Sequence, residues 1–201
     1  QAEGEMDHEE ARFVYVGTYT RGAPGGWSAV ASVNKPEGVM VFSSGAGMGD
    51  LQLIQTVPTD NPSWVTIHPS QDVLYVSNEI GDYEGESMGS IEAYAIDDET
   101  GELTLINRVA TGSIPAQIVV SPGGDYLASA NYVSGTYELF PIGEDGSLGE
   151  ASSVQQQEGS GPHDRAGVSP RPCCRLRSRR QLHRRGRPGY GLGEGLRVCR
   201  R

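Results

Sequence analysis

Residues 61–79 read NPSWVTIHPSQDVLYVSNE, and residues 114–132 read IPAQIVVSPGGDYLASANY. Pro62 aligns with Pro115, Pro69 with Pro122, Asp72 with Asp125, Leu74 with Leu127 and Asn78 with Asn131, each pair 53 residues apart. A constant offset of this size marks a repeat architecture, in which one supersecondary unit recurs along the chain. Within the first copy, Trp64–Ile67 and Val73–Asn78 are apolar, β-branched runs flanking a Pro-centred turn at His68–Asp72. Two strands and a turn are therefore predicted here.

Working outward, the same period holds on both sides. Val39, Phe42, Leu51, Ile54 and Val57 match Ile91, Tyr94, Leu103, Ile106 and Val109 at an offset of 52. Phe13–Thr20 reads as a strand equivalent to the one at Val73–Asn78. Asp98-Glu99-Thr100-Gly101 and Glu144-Asp145-Gly146 have the composition of hairpin turns. The unit is four short strands: WVTI, VLYVSN, SIEAYAID and LTLINRVA. About fifty residues per four-stranded antiparallel unit is the period of a β-propeller blade. The fold class predicted is all-β, with about three blades in residues 12–163. No helix of usable length is predicted before His163.

Charge divides the chain unevenly. Through His163 there are 24 acids and four bases (Arg12, Arg21, Lys35, Arg108), giving −20; Asp164 to Arg201 holds two acids and twelve arginines, giving +10. An acidic body with one lysine argues against nucleic acid or an anionic membrane surface as partner, and for salt adaptation. No run approaches the roughly 18 apolar residues of a membrane span. Residues 1–11 read as a disordered acidic lead-in without a signal peptide's apolar core. Cytoplasm is favoured, and secretion or the periplasm stays open because Gln1 is not an initiator Met.

GTYT at 17–20, GVMVF at 38–42, NPSWVTIHPSQDVLYVSNE at 61–79 and GSIEAYAIDDETGELTLI at 89–106 together resemble the lactonase family of seven-bladed β-propellers. That family holds propeller-type 6-phosphogluconolactonases and, more distantly, fungal carboxy-muconate cyclases. The resemblance covers Phe13 to about Arg165. It implies a first blade without its innermost strand, a complete second and a nearly complete third. In such rings the innermost strand of the first blade comes from the far C-terminus. The activity implied is hydrolysis of a sugar-acid lactone, with no cofactor, and a fragment of three blades is expected to be inactive. A non-enzymatic binding scaffold and a lactonising cyclase are the alternatives.

Residues 164–201 abandon the repeat. A basic nucleic-acid-binding tail and a zinc site from Cys173, Cys174, His183 and Cys199 are competing readings, and the irregular cysteine spacing disfavours the latter. The preferred reading is a disordered, out-of-frame segment. Synonymous codons read one nucleotide out of phase permit a further strand–turn–strand unit of the same repeat.

Several local signals compete for chemistry. Gly85-Glu86-Ser87-Met88-Gly89 matches G-x-S-x-G, a motif that needs a strand before it and a helix after it; here a loop is expected. Asp97 to Glu102 lacks the ligand spacing of a calcium loop, so no metal is expected. His68 is replaced by Ser121 in the next copy and reads as a turn residue. His163 is the candidate catalytic residue: the resemblance places functional polar groups near it, and an imidazole can serve as general acid or base. Ser63 and Gln117, at the starts of inner strands, are candidate substrate-binding residues facing the channel. Asn131 joins them, although its recurrence at Asn78 points to blade structure. The expected partner is a small sugar lactone, but the body shows no basic cluster for a phosphate. Self-association through open blade edges is also expected.

Overall fold

The computed structural model describes residues 12–21, 37–45 and 50–158. Among the described residues, eleven strands form three antiparallel sheets. The first contains β1 (Phe13–Gly17), β2 (Gly38–Ser44) and β3 (Leu51–Pro58) in chain order. The second contains β4 (Pro62–Ile67), β5 (Val73–Asn78), β6 (Met88–Ile96) and β7 (Leu103–Gly112). The third contains β8 (Pro115–Val120), β9 (Tyr126–Asn131), β10 (Thr136–Pro141) and β11 (Ser153–Gln156). Each sheet is a meander of neighbouring strands, the form of a propeller blade. The third blade has all four strands, one more step of completeness than the sequence predicted. His163, the lead-in and the tail lie outside the described residues.

The blades stack face to face, which explains why β5 is buried along its whole length. Its alternate side chains enter two different cores. Leu74 and Val76 pack with Val39 and Val41 of the first blade, whereas Val73 and Tyr75 pack with Ile118, Leu127 and Phe140 of the third. A strand with both faces covered reads as a continuous apolar run, as VLYVSN does.

Polar ties recur at equivalent places in successive blades. Tyr15 donates to the Gly101 carbonyl at 3.1 Å across the first interface, and Tyr75 donates to the Gly146 carbonyl at 2.9 Å across the second. The Gln55 side-chain amide brackets the backbone of Leu103, with bonds of 2.7 and 3.0 Å. Asn107 does the same to Leu148 at 2.8 and 3.0 Å. Each tie satisfies backbone groups at a turn that the ladder cannot reach.

The predicted strand Phe13–Thr20 stops at Gly17. Beyond it, the backbone N–H groups of Thr20 and Arg21 donate to Asn61 Oδ1 at 3.0 and 2.9 Å, so the chain turns to dock on the next blade. Gly17 sits where an added Cβ would lie 2.1 Å from the Pro62 carbonyl oxygen. Only glycine allows that approach.

Candidate functional site

The alternation of strands puts two kinds of connection on one face of the blades: the crossings from a fourth strand to the next first strand, and the loops between second and third strands. Residues 59–61, 79–87, 113–114 and 132–135 meet there. The crossings carry strain. Asn61 and Ile114 occupy the same repeat position with φ of 43° and 57°. A β-branched residue rarely adopts that region. Both are held by a backbone bond to their carbonyl, from Glu79 N to Asn61 at 2.9 Å and from Tyr132 N to Ile114 at 2.7 Å.

Beneath each crossing lies a buried carboxylate. Glu92 on β6 is fully buried and accepts from Thr59 Oγ1 at 2.8–2.9 Å, from Tyr94 OH at 2.7 Å, and from Arg108. Glu138 on β10 accepts from Thr111 Oγ1 at 2.9 Å, from the Gly112 N–H at 3.1 Å and from Thr136 Oγ1 at 3.1 Å. In each case a threonine ending one blade grips the glutamate of the next. Burial, then Glu92, pushes the Tyr94 hydroxyl pKa well above its ordinary value.

Between the first and second blades this face opens into a cleft of about 490 Å³. Arg21, Asp60, Asn78, Tyr83, Ser90 and Arg108 are among its lining residues. Two of the body's four bases therefore meet in one place, a convergence that their positions 21 and 108 did not reveal. Each is already matched. Arg21 makes a bidentate pair with Asp82, both bonds 2.7 Å, and lies 3.3 Å from Asp60; Arg108 pairs with Glu92. The Arg21 guanidinium holds the Asp82 carboxyl below the usual carboxylate range. Beside the cleft, Tyr19 donates to Glu79 Oε2 at 2.6 Å.

Of the residues singled out from sequence, Ser63 is the second residue of β4, and its hydroxyl is buried without a hydrogen-bond partner among the described residues. Gln117 is half-buried on β8. Asn131 is fully buried at the end of β9: Oδ1 accepts from Ser129 Oγ at 2.8 Å, with Thr111 Oγ1, whose proton goes to Glu138, 3.2 Å away, and Nδ2 donates to Thr136 Oγ1 at 3.0 Å. Ser63 and Gln117 belong to the inner strands, Asn131 to the network around Glu138. Ser87 of the G-x-S-x-G stretch precedes a strand, β6, and follows a three-residue 3₁₀ turn at Tyr83–Gly85, so the helix that motif needs is not there. His68 is a structural turn residue: Nδ1 accepts from the Ser70 N–H at 3.2 Å, which leaves Nε2–H to donate to the Gly124 carbonyl at 2.9 Å.

The family model "Lactonase, 7-bladed beta-propeller" matches residues 13–174. The chain belongs to the lactonase family of seven-bladed β-propellers. It is 30% identical over 152 residues to the 6-phosphogluconolactonase of Bacillus subtilis, covering 75% of this chain and 39% of that protein. A solved structure from Bacteroides fragilis superposes with a TM-score of 0.67 at 30% identity, over 81% of this chain and 41% of the other. The periplasmic gluconolactonase of Pseudomonas aeruginosa gives 0.61 at 31% identity, over 75% and 40%. This lactonase-family chain thus spans about two fifths of the length of such relatives, which agrees with three blades out of seven.

Proposed function

We propose that the ring to which these three blades belong hydrolyses a sugar-acid lactone, with 6-phosphoglucono-lactone the leading substrate. The observation that carries this reading is membership of the lactonase family together with relatives named for lactone hydrolysis. In the mechanism, water attacks the ester carbonyl while a general base takes its proton and donors stabilise the developing oxyanion; the ring acyl C–O bond then breaks, and the protonated base returns its proton to the leaving alkoxide, releasing the open acid. His163 is assigned as the base, since it follows the third blade where the next crossing falls in the repeat. Ser63 supplies an unused hydroxyl on an inner strand, and Gln117 a side-chain amide on the next one. The blades described here hold their two clustered arginines in ion pairs, so a phosphate group would be bound by blades beyond these three.

Lactone opening releases acid, so proton release above the spontaneous rate is the readout. The full chain alone is expected to show none. A complete ring carrying residues 12–163 is expected to accelerate hydrolysis of 6-phosphoglucono-lactone, and His163→Gln should reduce kcat with little change in KM. A complete ring that binds the lactone without turnover would favour a binding scaffold; one that closes lactones but does not open them would favour a cyclase.

A further inference from the structure

The repeat supplies an internal comparison for the cleft between the first two blades. Asn78 and Ser90 pair across β5 and β6, and their counterparts Asn131 and Thr136 pair across β9 and β10. At the second interface this position is closed. Gly112 has Ser134, Thr136 and Asn131 so near that an added Cβ would lie 2.4–2.6 Å from their side-chain atoms, and the Asn131 amide is bonded at both ends, to Ser129 and Thr136. Thr136 Oγ1 is bonded to Asn131, Ser134 and Glu138.

At the first interface the same framework is open. Thr59 uses its one hydroxyl proton on Glu92, so the Asn78 amide must present its N–H side to Thr59 Oγ1, at 2.6 Å. That leaves Asn78 Oδ1 without a partner, and Ser90 Oγ is orphaned as well, whereas Arg21 Nε is paired with Asp60 Oδ1 at 3.3 Å. Asn78 and Ser90 are each 1% exposed. Both orphans belong to side chains on the walls of one cleft. Buried polar groups without partners are uncommon, and each calls for a water, an ion or a ligand.

We propose that this cleft binds an uncharged polyhydroxylated molecule of monosaccharide size. The orphans are one acceptor and one hydroxyl able to donate or accept, a combination that neighbouring alcohol groups satisfy. Pro58, Ile80 and Tyr83 add apolar wall for the C–H faces of such a ring. A volume of about 490 Å³ falls within the range of small-molecule sites. Charge disfavours an anion: the two arginines face Glu37 and Asp60 on the walls and Asp82 and Glu92 as bonded partners, two cations against four carboxylates. The site lies against β6 and β7, the third and fourth strands of its blade, and includes neither Ser63 nor Gln117. It goes beyond lactone hydrolysis and does not rest on it.

The test is titration of the full chain with D-glucose and with sorbitol by ligand-observed NMR, with glucose 6-phosphate as the anionic arm. Saturable binding is expected at about 1 mM. Ser90→Ala should weaken it about tenfold, the effect of one lost hydrogen bond, while the melting temperature holds or rises because that hydroxyl bonds nothing in the free chain. Asn78→Ala, which removes the unpartnered acceptor, should also weaken it. Failure of both neutral ligands to saturate overturns the proposal and assigns the cleft to water. Equal binding by the parent chain and both variants overturns the location, and tighter binding of glucose 6-phosphate overturns the choice of an uncharged ligand.

Discussion

At the scale of single residues, the most consequential side chain is Glu92, a fully buried carboxylate gripped by Thr59, Tyr94 and Arg108. Replacing it by alanine strands Arg108 and leaves two hydroxyls unpaired. We expect Glu92→Ala to cost about 3 kcal/mol in denaturant unfolding, the range for breaking a buried ion pair. Glu138, whose partners are two hydroxyls and one N–H, should cost less, about 2 kcal/mol as alanine. Equal losses would mean that the arginine contributes nothing. Tyr75 gives a pH-dependent case. Burial, then the nearby charge of Asp145, pushes its hydroxyl from 10.0 up to about 12. Its folded value exceeds its unfolded one, so the stabilisation is fully present below pH 10 and is lost as pH rises through about 12. Tyr75→Phe should therefore be less stable at neutral pH by about 1 kcal/mol for its lost bond to Gly146, with the gap narrowing across that alkaline window. Unfolding curves at neutral and alkaline pH decide it; a constant gap would refute the titration.

At the scale of elements, the turns between first and second strands hold the blades in register. Gly124 has φ of 83°, and an added Cβ would lie 2.5 Å from His68 Cε1. Gly124→Ala thus combines left-handed strain with displacement of the imidazole from the Gly124 carbonyl, and should cost about 2–3 kcal/mol. With His68→Ala already present, the cost of Gly124→Ala should fall to about 1 kcal/mol, the strain alone, so the two changes are expected to be non-additive in a double-mutant cycle. Additive losses would place the effect wholly in the turn. The strands themselves were legible because Pro62/Pro115 and Asn78/Asn131 keep a constant offset, and the core positions between them repeat with it. The carboxylate ties were not. Thr59 and Thr111 keep the offset, at 52, but Glu92 and Glu138 stand only 46 apart. Eleven residues separate Asn78 from Ser90, whereas four separate Asn131 from Thr136. A loop shortened by seven residues hides the repeat from any fixed period, and the same longer loop opens the cleft. Arg21 and Arg108 were invisible as a pair for a related reason: they meet only through packing of successive blades.

For the whole molecule, the deciding feature is the boundary of the first blade. Among the described residues β1 pairs with β2 alone, so one edge of Phe13–Gly17 has no strand beside it. Beside that edge Phe13, Val14, Tyr15, Val65 and Ile67 line a groove of about 390 Å³, and Trp64 and Ile67 are 41% and 53% exposed. An unpaired edge with an apolar floor is a template for another strand. Self-association of the full chain should therefore follow. Salt separates the two forces at work. The chain carries a net charge of −10, so copies repel one another at low ionic strength, and screening over about 10 Å at 0.1 M removes that barrier. Sedimentation velocity should show association that grows with added salt, and Ile67→Lys should suppress it at an exposed position where the fold tolerates the change. Association that instead falls with salt would transfer the contact from the blade edge to attraction between the acidic body and the arginine-rich residues 164–201. A monomer at every salt concentration would refute both.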